Sequence, residues 1–171
     1  MDFVGNQVWF TILLVVHVAG AIAGIGPTFA FSVLGPNAGK AGPNGGAALL
    51  RSLLDIEKKI VTPVALVTQP LSGALLIWNR GINTVFWKEE WLWISIILFA
   101  AILYLSYLVD TPAIHRLVDA MEKGEAGTPA FQKDLAITQR LGPFFGIATI
   151  VIIVLMIWKP GSTCAGDLLR C

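Results

Sequence analysis

One histidine, His17, stands inside Val8–Leu34, a run of 27 residues with no formal charge. At ~1.5 Å rise per residue this run is long enough to cross a ~30 Å hydrocarbon core. An imidazole at that depth needs a partner, because polar groups in lipid are costly. Four roles are open to it there: a hydrogen bond to a neighbouring helix, ligation of haem or another tetrapyrrole, quinone binding, or proton transfer. Gly20, Gly24 and Pro27 continue the helical stripe that His17 begins. The stripe carries almost no side-chain bulk, so it can receive another helix through Gly20-x-x-x-Gly24 or a flat tetrapyrrole ring. At the same depth, ~14 Å into the membrane at 1.5 Å per residue, antiparallel neighbours offer Thr68, Gln69 and Thr149 as hydrogen-bond partners.

The second histidine, His115, lies beyond the end of a different apolar run, roughly 15 Å or more away in depth. It cannot share an iron with His17 in one protomer, and Met156 is too near the opposite interface to serve. A haem on His17 is therefore either five-coordinate or bridged to a second His17 across a two-fold homodimer. Asp119, one turn after His115, marks a surface ion pair. No His/Cys/Met cluster suggests a copper route, and no nucleophile–base pair is visible. Gly35…Gly39-Lys40 is one residue short of a phosphate loop and has Ala41 where Ser or Thr belongs.

The elements that position these residues follow from composition. With 56% hydrophobic and 13% charged residues, the chain is not an ordinary soluble domain. Four uncharged runs can span a membrane, at about 8–34, 60–79, 91–109 and 141–158. The expected fold is all-α: one domain over 1–171, four transmembrane helices in an antiparallel bundle. Net charge +1 leaves no nucleic-acid footprint. The first and third connections carry Lys40, Arg51, Lys58, Lys59, Arg116, Lys123, Lys133 and Arg140, eight cations against four (Arg80, Lys88, Lys159, Arg170) on the other side. That bias puts both termini outside the cell membrane. All six tryptophans then fall at the outer interface, where indole is half apolar and half wet. MDFVGNQ lacks a basic n-region, so the first helix is expected to stay as an anchor. Cys164 and Cys171 in the tail would meet an oxidising compartment, and a small disulfide loop is expected between them.

Between the spans, Gly35–Gly46 reads as a turn-rich loop and Ala47–Lys59 as an amphipathic helix with an Arg51–Asp55 pair on its wet face. Pro63 and Pro70 interrupt the second span. Asp110 closes the third, and Thr111-Pro112 and Thr128-Pro129 each start a new helix. Ile114, Leu117, Val118 and Met121 make an apolar stripe suited to lying on the inner leaflet or on the bundle. Gly142 and Gly146 give the fourth span a second small-xxx-small face.

With His17-Val-Ala-Gly20 in the first of four helices, the chain resembles small bacterial membrane proteins of the copper-resistance D type and the HemJ-type protoporphyrinogen oxidases. It resembles more specifically an uncharacterised four-helix family of bacterial integral membrane proteins with this first-helix histidine. The resemblance implies that His17 ligates haem b or sits at a tetrapyrrole site in a bacterial inner membrane. The HemJ-type pattern also has a lysine in its third membrane helix, which 91–109 lacks. Two functions are expected from these readings: a haem-binding redox or tetrapyrrole-handling protein, with His17, Gly20, Gly24 and Gln69 around the cofactor, or a non-enzymatic accessory subunit of a larger membrane complex. A small transporter is disfavoured by the absence of charge inside the spans.

Overall fold

The computed structural model describes residues 3–162. Cys164 and Cys171, and with them the disulfide expectation, lie outside the described residues. Among those described there is no strand. Six α-helices follow in order: α1 (Gln7–Lys40), α2 (Gly42–Ile56), α3 (Gln69–Asn79), α4 (Glu90–Leu105), α5 (Thr111–Glu122) and α6 (Pro129–Trp158). They make four apolar rods long enough to cross a membrane, within Gln7–Pro27, Asn44–Asn79, Glu90–Glu122 and Pro129–Trp158.

Two rods run on where the sequence predicts breaks. Asn44–Asn79 is one continuous rod of 36 residues, ~54 Å at 1.5 Å per residue and well beyond the hydrocarbon core. Pro63 and Pro70 do not break it. Each removes a donor from the i→i−4 ladder, and the chain answers with π-helical turns at Glu57–Val61 and Val64–Thr68. There the N–H of Thr62 reaches the carbonyl of Glu57, and that of Gln69 reaches Val64. The third rod likewise passes Asp110 and Pro112 through a π-turn at Ser106–Asp110, so α5 starts at Thr111 as a continuation of the same rod, without a side-chain cap. Such turns re-satisfy backbone groups that a proline strands in lipid.

The glycine-rich stretch after the first span is also helical rather than a loop. α1 continues to Lys40, and the chain reverses only at Ala41–Gly42, where Gly42 has φ 75°. Gly46 permits the tight crossing that follows, since a Cβ there would stand within 2.4 Å of the Ala38 carbonyl oxygen. Thr128 does start α6, accepting a hydrogen bond from Phe131 N–H at 3.3 Å.

Spans pair as α1 with α3 and α4 with α6, with α6 also touching α1. At the end opposite the termini, Ala38, Ala47, Leu50 and Leu53 bury themselves against Leu117, Val118, Met121 and Phe131. The α5 stripe thus lies on the bundle. Arg51 pairs there with Glu122 of α5, not with Asp55, which takes Lys59 at 3.3 Å instead. Arg116 forks onto both oxygens of Asp134 at 2.9 and 2.7 Å, fastening α5 to α6. Elsewhere the rods turn apolar residues outward, for example Ile22 at 70%, Leu108 at 64% and Ile147 at 64% exposure. Water would not tolerate that surface on a monomer; hydrocarbon does.

At the end that carries the termini, Asn79 is fully buried and donates to the Phe3 carbonyl at 2.6 Å. Trp78, Trp87 and Trp158 there are well exposed, as interface anchors are. Trp91 is not one of them. It is buried, and its indole N–H donates to Glu89 Oε2 at 2.7 Å.

Candidate functional site: the His17 helix pair

His17 lies on α1 facing α3. Its Nδ1 is 2.8 Å from Ser72 Oγ. Ser72 is buried, and its hydroxyl is 2.5 Å from the Thr68 carbonyl oxygen one turn back. A carbonyl only accepts, so the single hydroxyl proton of Ser72 lies on that line. Nδ1 donates to Ser72 in the tautomer that carries its proton there, and accepts from the Gln69 amide, 3.3 Å away, in the other. Nε2 has no hydrogen-bond partner among the described residues.

Gln69 secures the backbone beneath the ring. With its amide turned to satisfy both ends, it donates to the His17 carbonyl at 2.9 Å and accepts from Ala21 N–H at 3.1 Å. The side chain thus bridges one turn of α1, and its nitrogen stands 3.3 Å from Nδ1. Gly20 makes this approach available: a Cβ there would sit 3.1 Å from Gln69 Oε1 and 3.3 Å from Thr68 Cγ2. At Gly24 a Cβ would meet Val64 Cγ1 at 3.0 Å. Of the two occupants open to the glycine stripe, the second span takes the place. On the far side, Gly73 brings its Cα under the imidazole, where a Cβ would lie 3.4 Å from Cε1.

The structure therefore brings His17, Gly20, Gly24 and Gln69 together. It adds Ser72, which sequence reasoning missed. Thr68 contributes its carbonyl rather than its hydroxyl, and Thr149 is buried on α6 without a bond to the ring. The signal for Ser72 was its position one turn after Thr68; the π-turn at Val64–Thr68 sets which residue of the QPLS segment reaches the ring.

His115 is at the opposite end of the bundle. It lines a cleft of about 270 Å³ with Arg51, Leu54, Asp55, Val118 and Asp119. No ion pair joins it to Asp119, so that expected pair is absent among the described residues. Beside this cleft, Glu57 and Asp110 are buried or nearly so; sequence reasoning had placed both outside the bundle's interior. No group of three or more His, Cys, Asp or Glu able to hold a metal occurs among the described residues.

Four apolar rods with a buried polar knot between two of them define a multi-pass integral membrane protein. The chain belongs to the family described as "Predicted integral membrane protein (DUF2269)", which matches residues 11–160. No curated protein and no solved structure matches it.

Proposed function

We propose that this chain is a membrane-embedded haem b or tetrapyrrole-binding protein whose axial ligand is His17. The observation that carries the reading is geometric: Nδ1 meets Ser72 Oγ at 2.8 Å while Nε2 has no hydrogen-bond partner among the described residues, so with the proton on Nδ1 the ring offers its Nε2 lone pair. A histidine that ligates metal commonly donates its other N–H in this way, which fixes the ring and strengthens it as a ligand. When bound, haem supplies one-electron chemistry at iron. The chain's own part is to hold the imidazole through Ser72 and the Thr68 carbonyl, to brace α1 through Gln69, and to keep water out. Gly20 and Gly24 serve the helix contact, so the proposal rests on His17 and not on them.

The donor set supplies one strong ligand and no second. Within one chain His17 alone would hold the iron, and a second copy would supply its own His17 as the other ligand. Protein purified with haem supplied during expression should show a Soret band that His17→Ala abolishes. Ser72→Ala should keep the band but weaken haem affinity ~10–100-fold. A colourless protein, or a band unchanged in His17→Ala, refutes the reading.

One observation favours a second reading, an accessory subunit. Cβ atoms added at Gly142 and Gly146 would meet nothing within 4 Å, so the small-residue face of α6 is open to another helix. A colourless protein that co-purifies with a membrane partner, and loses it in Gly146→Leu, selects that reading. For the setting we propose a bacterial inner membrane with both termini extracytoplasmic, on the cation bias of eight to four. Alkaline phosphatase fused after residue 171 should be active in such cells and inactive when fused after residue 123.

A further inference from the structure

The polar cluster at the end opposite the termini has no part in the His17 site. Glu57 opens one π-turn and Asp110 closes another. Glu57 is 8% exposed, and one of its oxygens accepts the Thr111 hydroxyl at 2.6 Å. Asp110, the residue before Thr111, is within electrostatic reach of Glu57. Its Oδ1 is buried and has no hydrogen-bond partner among the described residues. In the same π-turn, Tyr107 donates to Thr62 Oγ1 at 3.0 Å, so that hydroxyl is already committed.

No fixed cation compensates this pair. On the rod of Glu57, Lys58 and Lys59 are exposed, and Lys59 takes Asp55. Arg51 is held by Glu122 and Arg116 by Asp134. α1 brings no charged residue between His17 and Lys40, and at this end α6 brings Lys133 and Arg140, both exposed. The remaining group within reach of Glu57 is His115, on the wall of the cleft that also carries Asp55 and Asp119. Two carboxylates sharing a desolvated site do not both stay ionised; their protons leave in two steps that belong to the pair. An oxygen buried without a donor is where a carboxyl proton is least opposed.

We propose that Glu57 and Asp110 form a proton-binding pair that holds one proton between them and exchanges it with water through the cleft walled by His115. Loading forms an O–H bond on the pair as the proton leaves hydronium or the His115 imidazolium. This is independent of haem binding at His17, and it supplies ionisable groups of the kind whose absence from the spans disfavoured a small transporter.

The test is infrared spectroscopy of the whole chain in lipid nanodiscs, titrated with acid and base. A carboxylic acid C=O band should be present at neutral pH, shift in D2O, and titrate in two steps. Asp110→Asn should remove the upper step. Glu57→Gln should leave a single step, lower than the upper one by about one unit or more. Glu89→Gln, which alters the buried acid at the other end, should leave both steps in place. Thr111→Val keeps both acids and removes a bond that favours ionised Glu57, so it should raise the lower step; it serves if Asp110→Asn does not fold. His115→Gln should slow H/D exchange of the band about ten-fold without moving it. A band absent at neutral pH, one untouched by Asp110→Asn, or steps unmoved by Thr111→Val overturns the proposal.

Discussion

The contact between α1 and the second span can be tested with one methyl group. Gly24→Ala would place a Cβ 3.0 Å from Val64 Cγ1 and 3.6 Å from Val64 Cβ. The shorter distance is well inside ordinary carbon–carbon contact, and a β-branched side chain on a helix has little freedom to turn away. Inserting one methylene-sized group into a packed interface costs about 1–3 kcal/mol. Alanine in a helix gains about 1 kcal/mol over glycine. The net effect is therefore a loss of about 0–2 kcal/mol. Gly146→Ala is the control: it collects the same helix propensity and its Cβ meets nothing within 4 Å, so it should stabilise by about 1 kcal/mol.

The two variants should accordingly differ by about 1–3 kcal/mol in unfolding free energy, measured in mixed micelles at one protein concentration low enough to keep the chain monomeric. Val64→Ala removes the obstructing Cγ1, so the Gly24→Ala/Val64→Ala double variant should recover most of the loss attributable to the clash. If Gly24→Ala and Gly146→Ala are equally stable, or Val64→Ala gives no rescue, α1 does not seat on Val64 and the placement of His17 against Ser72 loses its support.

Three further outcomes follow from the same structure. Ser72→Ala removes the hydroxyl that meets His17 Nδ1 at 2.8 Å and should cost about 0.6–2 kcal/mol, and a double-mutant cycle with His17→Ala should return a coupling of that order; a coupling of zero refutes the bond. Arg116→Lys keeps the charge but cannot reproduce the fork onto Asp134, so thermal unfolding should show most of the loss seen in Arg116→Ala, about 1–3 kcal/mol; full retention by lysine refutes the two-oxygen contact. Lys159 ends α6 at φ 48°, a left-handed position, with its ammonium 5.4 Å from the centre of the Trp91 ring. Lys159→Val should destabilise by about 1–2 kcal/mol, whereas Lys159→Gly relieves the backbone and loses only the ring contact, staying within about 1 kcal/mol of the parent. Burial, with Arg80 adding to it and Glu89 opposing, holds the Lys159 ammonium below its usual value of 10.5. The unfolded chain then binds more protons just below that value, so stability should rise with pH there, and Lys159→Gln should flatten the rise.

The spans, the tryptophan rim and the singular position of His17 could be read from the sequence because each is a statement about which residues tolerate hydrocarbon. A run such as Trp91–Val109 has one physical destination. What that reading divides wrongly are the places where polarity returns before the helix ends. Asp110-Thr-Pro112 looks like a stop followed by a start, yet it lies within an unbroken rod, whereas Ala47–Lys59, read as an amphipathic helix, does run on into the second span. The cause is the π-turn. A shift to i→i+5 bonding absorbs the missing N–H of Pro63 and carries the helix past it, and one more residue per turn rotates everything that follows relative to the apolar stripe.

That rotation explains both residues that pattern alone did not find. Ser72, rather than Thr68 or Gln69, stands opposite His17 because a π-turn ends at Thr68 and α3 begins from a shifted register. Glu57 turns inward at the start of one π-turn and Asp110 ends another beside Thr111, which bonds Glu57, so two acids assigned to wet connections lie close together at the bundle. The prolines that read as kinks are thus what builds polar sites into an otherwise apolar protein: each removes one donor, each answering π-turn re-aims a polar side chain. Replacing Pro63 by Leu should restore the i→i−4 ladder between Glu57 and Thr68 and turn the inner segment against the outer one. The His17–Ser72 coupling and the two-step titration of Glu57 and Asp110 should then weaken together, although the substitution touches neither site. Loss of neither in a folded Pro63→Leu protein would show that the side chains, not the turns, dictate the register.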